Sequence, residues 1–478
     1  MKNYYVCTAI PYVNDKPHIG HAMDFLYADI LARYHRQAGD SVVFSIGTDE
    51  HGAKIAEKAE KEGVSPKEYA DKIVPLWKDF AKQAGISNSK FIRTTNKAHE
   101  DRATIVWKNL KDHIYKGSYT GWYCVGCEEY KTETHVKATK GECPDHNRKY
   151  DELKEDNYFF KLSSFGAKVA ESIRSGELNI LPEFRAKEIL NVIDDGLEDI
   201  SISRPKEKIS WGVAVPGDDS QVMYVWFEAL MNYITVLGYP EQKEFAEYWP
   251  ASVQVIGKDI LRFHAAIWPA MLMGLGLPLP KILYSHGHIS SGGVKMSKTL
   301  GNVVDPQEVI AKYGLDAFRY FFARHIPSYD DGDFTWEKFE EAYNNELAND
   351  LGNAVSRVAA MIKKYQEGVI GDVPEPGHDR ARYDEYLSVC RFDMALEEVW
   401  SQVRGLNQYI EEEKPWILAK EADTDHLREV LAYMGGALLE IAELLTPFMP
   451  ETAAKIITLF GDGIVGSMDG SLFPKDQK

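Results

Sequence analysis

Two short strings limit what this chain can fold into more than any other feature: His18-Ile19-Gly20-His21 and Lys295-Met296-Ser297-Lys298. The first follows an apolar run, Tyr4 to Ile10, that reads as a buried strand, and it opens a helical pattern from Ala22 to Gln37. A strand feeding a helix through small and polar residues is where a nucleotide phosphate binds, because the first N–H groups of the helix have no partner inside it. Gly20 permits close backbone approach to such a ligand. His18 and His21 are therefore candidate catalytic contacts to a nucleotide phosphate, placed to stabilise a transition state on it. The second string follows Ser290-Ser291-Gly292-Gly293 and places two ammonium groups, Lys295 and Lys298, on a glycine-hinged loop that closes over a triphosphate.

The chain between these strings alternates strand-like and helix-like runs. Ser41 to Ile46 is a second strand candidate, followed by Gly47-Thr48-Asp49-Glu50-His51-Gly52 and a helix from Lys54. This is βαβ punctuation. From Gly117 to about Asp156 the texture changes to turns, cysteines and mixed charge, as in an inserted knuckle. Strand-like runs return at Val222 to Trp226, Val253 to Ile256 and Ile282 to Ser285, and from Trp336 onward the chain reads as all-helical, with a loop from Gly368 to Gly377. The fold class expected is α/β: a Rossmann-like parallel-sheet catalytic domain with an inserted zinc knuckle, then an all-α helical bundle. The segments expected are 1–115 (first half of the nucleotide fold), 116–157 (knuckle), 158–275 (remaining connective region and second half), 276–335 (lysine loop and stem contact) and 336–478 (bundle).

Composition adds limits. No run of eighteen or more apolar residues appears, and the N-terminus enters a strand without a charged-then-apolar leader, so a cytoplasmic protein with no membrane partner is expected. The net charge of −18 argues against tight non-specific binding to nucleic acid. A confined, salt-sensitive contact to single-stranded RNA stays open. The five cysteines are odd in number and three are clustered, which is a metal pattern more than a disulfide framework. Cys124-x2-Cys127 and Cys143-x2-His146 supply two pairs fifteen residues apart, the donor set of one tetrahedral zinc ion. With all four positions filled by protein, that zinc is structural.

Other candidates sit at strand ends. Asp49 would pair with an amino-acid ammonium, although an acid in a loop is commonplace and its spacing alone does not decide. Asp259, in Gly257-Lys258-Asp259-Ile260, would take ribose hydroxyls, with Gly20 and Gly257 beside the nucleotide. Tyr12, Trp226 and Tyr233, with Ile10, Ala229, Ile260 and His264 nearby, would line a pocket for a flexible apolar side chain, since sulfur makes favourable contacts with rings. Aromatic stripes of this kind are more often core than pocket.

Together, in this order and each after a predicted strand, the two strings resemble the signature pair of class I aminoacyl-tRNA synthetases. Within that class the chain resembles the methionyl-tRNA synthetase family over nearly its whole length. The resemblance rests on Ala9-Ile10-Pro11-Tyr12-Val13-Asn14, on Gly47 to Gly52, on Tyr224-Val225-Trp226-Phe227-Glu228-Ala229, and on Gly257 to Ile260 continuing through Phe263-His264 to Trp268-Pro269-Ala270. It implies that Tyr12, Trp226 and His264 line the methionine side-chain site, that Asp49 binds the amino group, that Ile10 and Tyr233 complete the pocket, and that Asp259 holds the ribose. It implies a single zinc knuckle, Mg²⁺ arriving with ATP, and tRNA(Met), initiator and elongator, as partner. It also assigns Asn353, Arg357 and Trp416 to the CAU anticodon. On residues alone Trp416 reads as a packed aromatic at a helix break.

Three departures stand out. Thr299 replaces the usual serine of the lysine motif and keeps its hydroxyl. His146 stands where many relatives have cysteine. The chain stops at Lys478 without an appended tRNA-binding module, so a monomer is expected. Rival readings are weaker. Synthetases for valine, isoleucine or leucine carry a domain-sized editing insertion, for which the knuckle leaves no room. A cysteinyl enzyme needs an open zinc position. A nucleotidyltransferase of the same fold would leave the helical region unexplained, and a non-catalytic RNA-binding adaptor would have no use for intact His18, His21, Lys295 and Lys298.

Overall fold

The structure, a computed structural model, describes every residue except 1, 128, 132, 145, 146, 296–303, 372–379, 422, 468, 469 and 476–478, together with the side chains of 134 and 295. The central sheet has six strands: β1 (Asn3–Thr8), β2 (Ser41–Thr48), β3 (Lys90–Arg93), β4 (Asn179–Leu181), β5 (Val253–Gly257) and β6 (Ile282–His286). Their spatial order is β3-β2-β1-β5-β6-β4, and every neighbouring pair is parallel. Val6 lies between Phe44 and Val253, and Gly257 lies beside His286, so the carboxyl ends of the strands line one edge. The near-continuous apolar runs of β1, β2 and β5 suit a sheet buried on both faces, which is how parallel sheets occur. Tyr5, Cys7, Val43, Ile256 and Leu283 join Trp107, Phe227, Tyr233 and Trp268 in one continuous core.

The chain divides into two compact units. One comprises 1–17, 39–82 and 86–286; the other comprises 18–38, 83–85 and 287–478. The segments read from the sequence kept residues 1–115 together. Helix α1 (Ile19–Gln37), which follows β1 in the chain, instead packs with the second unit. The buried Arg319 explains this: its guanidinium meets Asp29 of α1 at 2.8 Å and donates to the Phe448, Pro447 and Ala84 carbonyls.

In the first unit, α2 (Lys97–Asn109), α3 (Val225–Ala229) and α4 (Asn232–Thr235) surround the site described below. The run Val222 to Trp226, expected to be strand, is split. Its strand spans Asp218–Met223, lies in a separate antiparallel sheet of three strands, and ends as Tyr224 starts α3. Trp226 therefore sits on a helix. The knuckle region is bounded by long antiparallel strands, Ile114–Cys124 and Asp151–Phe160, paired from Ile114 opposite Phe160 to Tyr123 opposite Asp151. The second unit is mainly helical and includes α5 (Asn353–Gln366), α6 (Phe392–Glu413) and α7 (Pro415–Glu421). Most of the expected loop after Gly368 lies outside the described residues. Among the described residues no helix is long and apolar enough to cross a membrane.

Candidate active site and metal cluster

The loops leaving β1 and β2 are tied together. Asp49 N–H donates to the Pro11 carbonyl at 2.9 Å and Val13 N–H to the Asp49 carbonyl at 3.1 Å, which sets Tyr12 beside Asp49 in an isolated parallel bridge. Gly47 is required one step earlier: a Cβ there would strike Ile92 at 2.4 Å and the Ile10 side chain at 3.1 Å. Ile10 is thus laid directly on the β2 backbone.

Glu50 anchors the same loop from below. It is buried and accepts from both ends of the Arg93 guanidinium at 2.7 Å, from Thr48 Oγ1 at 2.8 Å and from Thr95 Oγ1 at 2.6 Å. A bidentate pair of this geometry fixes orientation as well as charge.

Opposite the loop stands an aromatic wall. Tyr12 meets Trp226 edge to face at 6.0 Å, and Trp226 stacks on Phe263 at 4.1 Å. Tyr233 hydroxyl donates to His264 Nε2 at 2.7 Å, while His264 Nδ1 donates to the Ile260 carbonyl at 3.0 Å. That pair of bonds selects the Nδ1–H tautomer of a neutral ring. Burial pushes the His264 imidazole down to about 4, against smaller opposing effects of the Ile260 carbonyl and Asp259. Tyr233 is itself held through its backbone carbonyl, which accepts from Tyr5. Ala229 is buried on α3 and Ile260 is half-buried. The first unit therefore brings together Ile10, Tyr12 and Asp49 from strand-end loops, and Trp226, Ala229, Tyr233, Ile260 and His264 from helical segments. An apolar, sulfur-bearing side chain suits the ring faces. Asp259 is exposed just beyond β5, and a Cβ on Gly257 would meet its carboxylate at 2.8 Å, so Gly257 gives that carboxylate its room.

In the second unit, His18 is the N-cap of α1, and its Nδ1 accepts from Gly20 N–H at 3.1 Å. His18 N–H donates to His21 Nδ1 at 3.2 Å, and the two rings lie 3.8 Å apart. Each Nδ1 is an acceptor, so each neutral ring carries its proton on Nε2 as a donor. Gly20 is needed locally, because a Cβ there would come within 3.0 Å of the His18 ring. The glycines before the lysine motif also have a local reason. Gly292 and Gly293 both have positive φ, +63° and +75°, at the tip of a two-residue hairpin in which Ser290 faces Lys295. Positive φ at both central positions is the demand of a tight β-hairpin turn. Asp333 locks that turn, accepting from Gly293 N–H at 2.7 Å and Ser290 Oγ at 2.8 Å. The Lys295 backbone ends this hairpin; its side chain, and all of Lys298 and Thr299, lie outside the described residues.

The Sγ atoms of Cys124, Cys127 and Cys143 lie within 4.8 Å of one another. Cys127 and Cys143 sulfurs are 3.5 Å apart, too far for a disulfide bond. Cys127 N–H also points at Cys124 Sγ at 3.4 Å. Three sulfurs converging from two hairpin turns are a donor set that fits zinc, with one position left for a fourth ligand. His146, the fourth ligand expected, lies outside the described residues.

On the helical unit, Arg357 Cζ stands 5.9 Å from the Trp416 ring while its Nη2 donates to Glu411 at 2.6 Å. Asn353 is exposed one turn earlier on α5. Lys414, with φ 45° and ψ 62°, makes the break that turns Trp416 onto α7. Sequence reasoning missed His99, Glu228 and Phe263 as parts of the first unit's site. Glu228 was visible only as part of a longer string, and His99 lies on α2 with no motif around it.

Residues 4–153 and 146–359 match the family described as tRNA synthetases class I (M). The methionine–tRNA ligase of Caldanaerobacter subterraneus subsp. tengcongensis is 44% identical over 96% of this chain and 74% of its own length. That of Streptomyces coelicolor is 44% identical over 95% of this chain and 89% of its own. Among solved structures, Mycobacterium tuberculosis methionyl-tRNA synthetase in complex with methionyl-adenylate superposes with a TM-score of 0.93 at 34% identity, covering 99% of this chain and all of that one. Parallel sheet, capped histidine helix and sequence match together define a class I tRNA synthetase. Within that class the chain belongs to the methionine–tRNA ligase family.

Proposed function

We propose that this chain activates L-methionine with ATP and transfers it to the terminal adenosine of tRNA(Met). The observation that carries the reading is the convergence of Tyr12, Asp49, Trp226, Tyr233 and His264 on one edge of the parallel sheet, in a chain of this family. In the first step a methionine carboxylate oxygen attacks the α-phosphorus of ATP. The bond to the bridging oxygen of the β-phosphate breaks and pyrophosphate leaves; Mg²⁺ bound with ATP would offset charge on the phosphates. No protein nucleophile takes part; positioning and charge stabilisation carry the step. Asp49 holds the ammonium, Ile10, Tyr12, Trp226, Ala229, Tyr233, Ile260 and His264 hold the thioether, and Asp259 beside Gly257 takes the ribose. His18 and His21 present Nε2–H donors to the phosphates, with Lys295 and Lys298 on the leaving half. In the second step the terminal ribose hydroxyl attacks the adenylate carbonyl and AMP leaves.

Cys124, Cys127 and Cys143, with His146, would hold a structural zinc that ties the two knuckle hairpins together. Residues 336–478 form the anticodon-binding region in this reading, with Asn353, Arg357 and Trp416 reading CAU and so accepting both initiator and elongator tRNA. In this reading the chain acts as a monomer in the cytoplasm. The deciding experiment is pyrophosphate exchange into ATP across all twenty amino acids, without tRNA. Exchange with methionine alone is expected; exchange with a different amino acid overturns the substrate, and none at all overturns the activity.

A further inference from the structure

Behind the aromatic wall lies a buried charged cluster. Glu228, on α3, is 1% exposed, and His51 and His99 are each 2% exposed. One Glu228 oxygen meets His51 Nδ1 at 3.1 Å; the other bonds His99 Nε2 closely. His99 Nδ1 in turn bonds Thr235 Oγ1 on α4 at 2.7 Å. His51 is also faced by the Trp211 ring at 5.2 Å and, at 4.0 Å, by Glu100 of α2, with Glu50 adding negative charge from its own loop. Burial disfavours the His51 imidazolium, but Glu228, with Glu100 and Glu50, raises the group above its ordinary value. Burial likewise opposes the Glu228 carboxylate, and the two histidines bring it down.

The cluster joins three of the elements that carry candidate methionine residues: the loop after β2, α3 and α4. His51 lies two residues after Asp49. Glu228 lies between Trp226 and Ala229. Thr235 lies two residues after Tyr233, and α4 is bonded back to α3 by Asn232 Nδ2 donating to the Ala229 carbonyl at 2.7 Å. We propose that Glu228 is a positioning residue for methionine: through His51 and His99 it fixes the distance between the Asp49 loop and the Trp226 wall, and so sets amino-acid affinity without touching the substrate. A buried carboxylate shared by two rings suits that task. Each bond it makes is to a different element, and a lost partner leaves a desolvated charge that the elements can relieve only by shifting. A misplacement of about 1 Å at a binding group is enough to weaken recognition strongly.

This inference rests on the methionine reading, so wild-type exchange with methionine is measured first; its absence overturns that reading and is visible before any variant is made. In Glu228→Gln, which keeps size and one acceptor, the methionine KM in pyrophosphate exchange is expected to rise about tenfold or more, with kcat and the ATP KM within about twofold. That split separates lost positioning from general loosening, which would move both KM values and kcat together. Thr235→Val removes the outer bond to His99, together with a longer bond from Thr235 Oγ1 to the Asn232 carbonyl inside α4, and is expected to give the same split at smaller size. It decides the matter should Glu228→Gln not fold. A double-mutant cycle of Glu228→Gln with His51→Gln is expected to be strongly non-additive in methionine KM. An unchanged methionine KM in a folded Glu228→Gln enzyme, or a parallel change in all three parameters, overturns the proposal.

Discussion

His51 and His264 lie in the same unit, both buried, and titrate in opposite directions. His51 has a carboxylate against it and His264 has a phenol hydroxyl and a carbonyl. For His264 the folded value of about 4 lies below the ordinary 6.5, so the folded state disfavours its proton. Stability from the neutral ring is complete above pH 6.5 and is lost as pH falls from 6.5 toward 4. For His51 the folded value is raised, so the contribution of its proton is complete below pH 6.5 and fades as pH rises through the raised value. The expected outcome for His264→Gln is a shallower loss of stability between neutral pH and pH 4 in urea unfolding. The difference should be on the order of 3 kcal/mol. An acid slope equal to that of the wild type would place the sensitivity elsewhere. At the other histidine site, His21→Ala removes one Nε2–H donor and the ring that accepts from His18 N–H. Adenylation measured by pyrophosphate exchange should fall about 10²-fold or more, while methionine binding by calorimetry stays within about twofold. Parallel loss of methionine affinity would make His21 part of the amino-acid pocket.

Short elements account for what the sequence made legible and what it hid. The strands β1, β2, β5 and β6 were readable because parallel strands buried on both faces leave continuous apolar runs. The pocket aromatics were readable as residues but misplaced as elements: Val222 to Trp226 has the composition of a strand, yet α3 begins inside it. Local pattern cannot distinguish a short buried strand from a short buried helix. The glycine pair before the lysines was read as a hinge, and the hairpin explains both glycines through backbone sign alone. His99 was invisible because its partner Glu228 is 129 residues away. Two predictions belong here. The knuckle hairpins converge on three sulfurs, so Cys143→Ser should lose bound zinc in elemental analysis and melt earlier, with chelator abolishing the difference from wild type. Equal zinc content in the variant would remove Cys143 from the ligand set. In the helical unit, Trp416 is placed over Arg357 by the left-handed break at Lys414. Trp416→Ala should lower kcat/KM for tRNA charging about tenfold, since stacking on one base is worth roughly 1–3 kcal/mol, and leave pyrophosphate exchange unchanged. Damage to both steps would mean that the ring supports the fold.

At the scale of the molecule, the second unit is discontinuous in sequence: α1 and residues 83–85 belong with residues 287–478. The helix carrying His18 and His21 is held by groups that arrive hundreds of residues later. Asp29, fully buried, meets Arg319 at 2.8 Å and Arg33 at 2.7 Å. Tyr27 stacks on Phe392 at 4.6 Å, and Tyr34 donates to Asp384 at 3.0 Å. A fragment ending at 286 would keep α1 and lose all of these except Arg33, exposing its apolar face and leaving Asp29 without its buried cation. Such a fragment should bind a hydrophobic dye and show no methionine-dependent exchange, even though it retains every proposed methionine contact. The pair itself can be tested in the whole chain. Arg319→Met removes a cation from a site where Asp29 and the carbonyls of Phe448, Pro447 and Ala84 all remain. It should cost about 3 kcal/mol or more in chemical unfolding, because the cost of an uncompensated buried charge exceeds the worth of the pair. Adding Asp29→Asn should recover part of that loss. Additive destabilisation in the double variant would mean that Arg319 acts through its carbonyl bonds, and that Asp29 is satisfied by Arg33 alone.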